Sequence, residues 1–412
     1  MKATRLLLTL SALLFSVAAS ARAEITSWNA YNDFYLSPLR RLATAALVAL
    51  ILASLAVPHA HAVTIEMATV GNPGNAADTT GYGRVDYAYG IGKTHITIEQ
   101  YCEFLNAVAK TDTYGLYDDG VNWAPVSGIS RTGSPGSYVY TPTAPVGPSN
   151  PGITAGNRPI TKLTWFSAAR FANWMANGQP TGSQIASTTE RGAYQLEGRT
   201  TGAQVARSAV NPNTGAMPTF VIPTENEWYK AAYYKGGSTN AGYWNYATQS
   251  DTPPGNDLST SGSNVANFNW NGDNPAGLAN AHSGYTINAN DGWDFALNHL
   301  TAVGMFAGTT TAYGVYDMSG NARSWLETPV NPFDIEGTYV RGGTWDQGEN
   351  VTQYRRDGLN NRFYTANNES SPNIGIRLGT MAVAVPEPST YAMALAGVAY
   401  GGFSTFRRRK RA

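Results

Sequence analysis

The chain has 412 residues, no formal net charge and only 14% charged residues, well below the ~25% of an average soluble protein. Its 11% aromatic content excludes a disordered chain, and its single cysteine, Cys102, excludes a disulfide scaffold and a cysteine-ligated metal cluster. Residues 63–384 carry 25 acidic and 18 basic side chains, and an acidic body without a basic stripe argues against nucleic acid as a partner.

Two successive segments within residues 1–62 have the layout of a secretory signal, in which basic residues precede an apolar run and a small-residue cleavage pattern. The apolar runs span residues 6–18 and 42–57, and the cleavage patterns lie at 21–23 and 60–62. We therefore predict a leader over residues 1–62 and a mature start near Val63. A wrongly assigned start codon and one longer leader both explain the duplication. A retained membrane helix is less favoured, because the second run is shorter than the ~20 residues that span a bilayer.

Start signals predict three short helices. Thr97 and Gln100 form a capping box, and apolar residues with helical spacing follow them. A second helix is predicted over residues 165–177, where a glycine ends it. Thr224 and Glu227 form another capping box, so we interpret Glu227 as a structural residue at the start of the third helix.

Strands and loops are predicted for the rest of the body. Gly- and Pro-rich stretches cover about residues 125–158, 178–218 and 236–265. Loops of this length are usually functional or mobile. Because they separate recognisable sequence blocks, we interpret them as insertions into one domain of residues 63–384, not as linkers between two domains.

Five sequence blocks follow one another in order between about residues 65 and 380. The most specific read IPTENEW at 222–228, YGVYDMSGNARSW at 313–325 and VRGGTW at 340–345, with further blocks at 97–105 and 158–174. Together they resemble the formylglycine-generating enzyme (sulfatase-modifying factor) family. The resemblance implies an α+β domain with the C-type-lectin-like fold of that family, low in regular secondary structure and carrying long loop insertions.

The resemblance also implies a pair of copper-binding cysteines shortly after residues 342–344. Matched without gaps, these positions fall near Gln347 and Thr352, and neither side chain supplies a thiolate to copper. Cys102 lies elsewhere, beside the apolar stripe of the first predicted helix, and is expected to be a packed small hydrophobe. Copper and formylglycine synthesis are therefore not expected.

Iron is not expected either. A second branch of this fold uses histidine-ligated iron together with an additional four-helix domain, which is not evident in this sequence. The body holds His95, His282 and His299. The last two lie in a Gly- and Asn-rich region without helical ligand spacing, and we expect them to be solvated surface residues rather than ligands.

Calcium is the metal that the resemblance favours. Two family segments that share one structural calcium correspond to residues 266–269 and 290–293. By this correspondence, the resemblance implies four calcium ligands: the side chains of Asn267 and Asp291 and the carbonyls of Phe268 and Trp293. All four are oxygen ligands of the kind calcium prefers. Ordinary Asn and Asp turn chemistry is the alternative. A second family calcium uses an acid where this chain has Ser324, so that site is doubtful.

The C-terminal residues 385–412 have three parts in order: Pro386-Glu387-Pro388, an apolar segment at 391–406 and a basic run at 407–411. This layout is typical of a stop-transfer signal, and it resembles the PEP-CTERM sorting signal of Gram-negative bacteria. The resemblance implies export, transient membrane association through the tail, and removal of the tail by an exosortase.

Two functions remain open from the sequence. The favoured one is a non-catalytic binding or structural module at the cell surface or in the extracellular matrix, with a polysaccharide or an envelope protein as partner. The alternative is an enzyme with altered, oxidoreductase-like chemistry. Its candidate residues are Asp346, Glu349, Tyr354 and Arg355, which lie in the family's active-site neighbourhood and combine carboxylates with a tyrosine and an arginine.

Overall fold

Three α-helices, three shorter helical turns and eleven short strands are the regular elements of the part of the chain that the computed structural model describes. The described residues are 62–122, 126, 128–143, 155–258, 262–270, 281–289, 294, 297–330, 337–346 and 362–381. The helices are α1 (Ile98–Val108), α2 (Trp165–Ala176) and α3 (Glu225–Tyr233). The strands are β1 (Met67–Val70), β2 (Tyr89–Gly92), β3 (Ile129–Thr132), β4 (Val139–Pro142), β5 (Asn269–Trp270), β6 (Gly284–Tyr285), β7 (Arg323–Pro329), β8 (Gly337–Arg341), β9 (Arg362–Ala366), β10 (Ile374–Gly375) and β11 (Gly379–Thr380).

The sheets are small and mixed. One has the order β1-β2-β11 and is antiparallel, so the first and last strands of the domain pair with the same partner. The second has the order β10-β7-β8-β9, with β10 parallel to β7 and the other pairs antiparallel. Two further strand pairs, β3-β4 and β5-β6, are antiparallel. Mixed sheets with few helices confirm the predicted α+β class.

The three helices form where their caps predict them. The Thr97 hydroxyl accepts from the Gln100 backbone N–H, and the Gln100 side chain accepts from Thr97 N, so the first capping box is complete. The third helix has the same reciprocal arrangement between Thr224 and Glu227. Each box satisfies two backbone donors that a helix start leaves without a partner inside the helix, and this explains why these starts are readable from sequence.

The stretch 178–218 consists mostly of turns and loops, and side-chain contacts hold it against α2. Glu190 receives two hydrogen bonds from Arg170 of α2, at 2.7 and 2.8 Å, and the pair is buried. Asn173 donates to the carbonyls of Thr189 and Tyr194. This stretch therefore covers the polar face of α2, so all twelve residues of that helix are buried.

Aromatic packing holds α1 against α2. The ring centroids of Phe104 and Phe171 lie 5.3 Å apart at an interplanar angle of 88°, and Trp174 lies 5.2 Å from Phe104. Edge-to-face arrangements of this kind are favoured by the ring quadrupoles. A second apolar cluster surrounds α3 and includes Trp228 and Tyr233.

Within the described residues, no helix is long and apolar enough to cross a membrane. The predicted leader segments, except for Ala62, and the predicted sorting tail lie outside them.

Candidate functional site

A glycine–asparagine pair just before β7 joins three segments of the chain. Gly320 has a positive φ of 82°, and a Cβ at this position would overlap the carbonyl of Asn267. Asn321 N donates to that same carbonyl at 2.7 Å, and its Oδ1 accepts from the side chain of Asn267 at 2.9 Å and from Thr301 N at 3.1 Å. Because these contacts are buried, the pair fixes the positions of residues 265–270 and 299–301 relative to β7.

Three rings pack beside this junction. His299 and Trp345 are stacked, with centroids 5.1 Å apart and planes 13° from parallel, and Tyr285 lies 4.6 Å from His299. His299 is buried, so the prediction that it is a solvated surface residue is wrong. Its Nε2 lies 3.1 Å from the Asp294 carbonyl, and burial lowers the pKa of the imidazole. The ring is therefore held neutral as a packing element.

Asp346 follows directly after this stack. Its Oδ1 accepts from the Thr344 hydroxyl at 2.9 Å, and its Oδ2 accepts from the Asn373 side chain at 2.8 Å. Both oxygens are thus held by neighbours in the fold. The other candidate positions, Gln347, Glu349, Thr352, Tyr354 and Arg355, lie outside the described residues.

Half of the predicted calcium site is described. The Asn267 amide donates to the His299 carbonyl at 2.9 Å and to Asn321 Oδ1, so both of its hydrogens are used and any ligand role falls to its Oδ1. The Phe268 carbonyl accepts from the Thr286 hydroxyl at 2.9 Å. Asp291 and Trp293 lie outside the described residues, and calcium binding there stays a prediction. Among the described side chains, no group of three His, Cys, Asp or Glu could hold a metal.

Ser324, where the resemblance places an acidic ligand of a second calcium, is buried against His95. The His95 Nε2 lies 3.0 Å from the Ser324 hydroxyl, and the Arg377 guanidinium lies 3.3 Å from Nδ1. Since arginine can only donate, Nδ1 is the acceptor and Nε2 carries the proton. Burial, followed by the charge of Arg377, lowers the pKa of His95 well below its usual value. This histidine donates to the serine and cannot take its proton, so the pair is structural and not a nucleophile with its base.

Cys102 does not fit a copper or redox site. Its side chain is only 4% exposed and packs on α1 within the main apolar cluster. Burial, followed by the negative charges of Glu103 and Glu99, raises the pKa of the thiol to about 12. The prediction that it is a packed small hydrophobe is confirmed. Because the sequence contains no second cysteine, Cys102 has no thiol partner within its own chain.

A thiol titration tests this assignment directly. We expect the Cys102 thiol of the native protein to resist a disulfide-exchange reagent at about pH 8, because the reacting species is the thiolate and burial disfavours it. In denaturant the same reagent should modify one thiol per chain. Rapid labelling of the native protein would contradict the structural role.

Two largely buried ionic clusters were not predicted from the sequence. In the first, the Glu225 cluster, Glu225 accepts from both Arg341 and Arg362, at 2.7 and 2.6 Å. In the second, the Arg207 cluster, Arg207 bridges the carboxylates of Glu227 and Glu327. The Glu227 carboxylate also accepts from Thr224 N at 2.7 Å, so its predicted capping role is confirmed alongside the ion pair.

The mixed sheets, few helices and junction geometry together define an α+β domain. A family model for the sulfatase-modifying factor enzyme 1-like domain matches residues 68–381, and the chain belongs to this FGE-sulfatase family. No curated protein matches the chain.

Three solved structures are among those that the chain matches. "Crystal Structure of CarF" is 19% identical, covers 78% of this chain and 99% of its own, and has a TM-score of 0.39. Treponema denticola variable protein 1 is 16% identical, with 78% and 97% covered and a TM-score of 0.39. PvdO from Pseudomonas aeruginosa is 16% identical, with 78% and 93% covered and a TM-score of 0.36.

Proposed function

We propose that this chain is an exported, non-catalytic binding or structural module that uses a C-type-lectin-like version of the FGE-sulfatase domain. The observation that carries the proposal is the state of Cys102, the one cysteine in the sequence. It lies on α1 within the main apolar cluster, and burial raises the pKa of its thiol. A domain of this family without an accessible thiol has lost the group on which copper-dependent thiol oxidation depends.

An exposed aromatic pair supports a binding role. Phe363 and Tyr364 of β9 are 47% and 60% exposed, and their rings stack with centroids 6.0 Å apart. The guanidinium of Arg323 lies 5.1 Å from the Phe363 ring. Exposed aromatic faces of this kind pack against the apolar faces of sugars and against peptide side chains. The proposed ligand is a polysaccharide or an envelope protein of the host cell.

Export, sorting and metal content complete the proposal. The leader at residues 1–62 carries the chain out of the cytoplasm, and the tail at 385–412 associates transiently with the membrane until an exosortase removes it. Calcium is bound by Asn267, Phe268, Asp291 and Trp293. It has a structural role, because its ligands come from two segments that are separate in the sequence and that it joins.

The test combines activity, metal content and binding in the exported protein. We expect no aldehyde on a cysteine peptide of sulfatase type, calcium without stoichiometric copper or iron, and retention on the host's own polysaccharide or envelope fraction. Replacing both Phe363 and Tyr364 with alanine should weaken retention about tenfold. Met217→Ala is the matched control, because it truncates another exposed apolar residue. Conversion of the peptide thiol to an aldehyde would overturn the proposal in favour of an enzyme.

A further inference from the structure

At the start of the described body, the chain passes from exposed to buried within one residue. Ala62 is exposed, whereas Val63 is only 8% exposed and packs against the main apolar cluster. Val63 N donates to the Gln179 side-chain oxygen at 2.7 Å, and the Gln179 side-chain nitrogen donates to Val63 O at 2.8 Å. A single amide thus satisfies both backbone groups of Val63, as a neighbouring strand would. We call this arrangement the Gln179 clamp.

Gln179 holds this position in an unfavourable backbone conformation. It has a φ of +61°, directly after Gly178 at the end of α2, and its N–H donates to the Trp174 carbonyl at 2.9 Å. A residue with a Cβ adopts this region uncommonly, because it is sterically less favourable than the right-handed and extended regions. Apart from this backbone contact with α2, the hydrogen bonds described for Gln179 are the two to Val63.

The next residue is held from α1. The Gln100 side-chain nitrogen donates to Thr64 O at 2.9 Å, while the oxygen of the same amide closes the capping box. A surface groove of about 420 Å³ lies beside these contacts, and Val63, Glu99 and Glu103 are among the residues that line it. The two carboxylates make this groove favourable for a positive charge.

We propose that the Ala62–Val63 bond is the processing site, and that the new α-ammonium of Val63 docks in the Gln179 clamp. A signal peptidase adds water across this peptide bond, which leaves a carboxylate on Ala62 and an ammonium on Val63. The ammonium keeps the hydrogen bond to Gln179, which becomes charge-assisted and therefore stronger. Because Val63 is buried in the fold, cleavage acts on the extended chain during export and docking follows. This inference rests on the export part of the proposed function.

The first experiment follows the full chain, with its own leader, in a Gram-negative host. Intact-mass measurement and N-terminal sequencing of the exported protein should give Val63 as the first residue. A chain that stays in the cytoplasm would overturn the export proposal, and with it this inference. A chain that is exported but begins at another residue would overturn the inference alone.

The second experiment tests docking by comparing the Gln179→Gly variant with the unsubstituted protein. Glycine relieves the backbone strain at this position, which by itself would stabilise the protein. It also removes the amide that holds Val63, and loss of the clamp would destabilise the N-terminal segment. The two effects therefore predict opposite changes in stability. We expect the variant to lose Val63 to an aminopeptidase at least tenfold faster and to unfold at a lower temperature. Gln195→Ala is the control, since the one hydrogen bond of this exposed amide within the described part of the chain is a long one, 3.5 Å, to Ser208. Equal or greater resistance in Gln179→Gly would overturn the clamp.

Discussion

Replacing Glu225 with glutamine is expected to lower the free energy of unfolding by about 3–5 kcal/mol, the usual result when one partner of a buried ion pair is removed. Glu225 and Arg341 are both almost fully buried. One carboxylate oxygen accepts from Arg341 and Arg362 together, and the other accepts from Arg362 at 3.1 Å. A glutamine would turn its NH₂ group towards a guanidinium that can only donate.

The aromatic residues around the Glu225 cluster cannot replace the lost charge. The Arg341 guanidinium lies 4.8 Å from the Tyr82 ring and 4.9 Å from the Tyr229 ring, but each such contact contributes only about 0.5–2 kcal/mol. Within the described part of the chain, Arg341 Nη1 has no hydrogen-bond partner. This guanidinium therefore depends on Glu225 for its counter-charge.

Urea unfolding followed by tryptophan fluorescence measures this effect. The matched control is Asp86→Asn, because the Arg84–Asp86 pair is mostly exposed and such pairs contribute about 0–1 kcal/mol. If the two variants lost the same stability, the buried pair would have no special role in the fold.

Local signals were predictable from the sequence, and long-range charge pairing was not. The starts of α1 and α3 depend on residues three positions apart, so the sequence alone contains the whole interaction. Glu225, in contrast, meets Arg341 and Arg362 across 116 and 137 positions. Nothing in the local pattern around Glu225 distinguishes a buried carboxylate from a solvated one at a helix start.

The same limit explains the error on His299, and it explains why the contacts made by residues 178–218 were not predicted. Both lie in Gly- and Asn- or Ser-rich sequence that is typical of surface loops. His299 is buried because Tyr285 and Trp345 stack around it. Residues 178–218 are ordered by Glu190, whose partner Arg170 lies on α2. In the candidate site, Asn267 meets Asn321 and Asp346 lies against Asn373, contacts that sequence spacing does not encode.

Replacing Arg207 with methionine should destabilise the protein strongly at neutral pH and less so in acid. Arg207 donates to Glu327 at 2.5 Å and to both oxygens of Glu227 at 3.2 and 3.1 Å. Without it, two largely buried carboxylates face each other with no cation between them. We expect a loss of about 3–5 kcal/mol near pH 7.5.

The expected pH dependence follows from how the two carboxylates titrate. Burial alone would raise the pKa of Glu227, but Arg207, with hydrogen bonds from Tyr87 and Thr224, holds it below its usual value. Burial raises the pKa of Glu327, and Arg207 and Tyr194 offset only part of that. In native protein, the Glu227 contribution is therefore present above its unfolded pKa and is lost as the pH falls through the lower folded value. The Glu327 contribution has the opposite sign and decreases as the pH rises through its raised folded value.

Removing Arg207 takes the cation from both carboxylates, so the pKa of each should rise and each should bind a proton in mild acid. The stability difference between native protein and Arg207→Met should therefore shrink by at least about 1 kcal/mol between pH 7.5 and pH 5, as measured by urea unfolding at both pH values. Arg191→Met, which breaks the exposed pair with Glu197, should show no such change. A difference for Arg207→Met that is constant with pH would mean that the two carboxylates stay ionised and solvated after Arg207 is removed, and that their burial does not control the stability of this cluster.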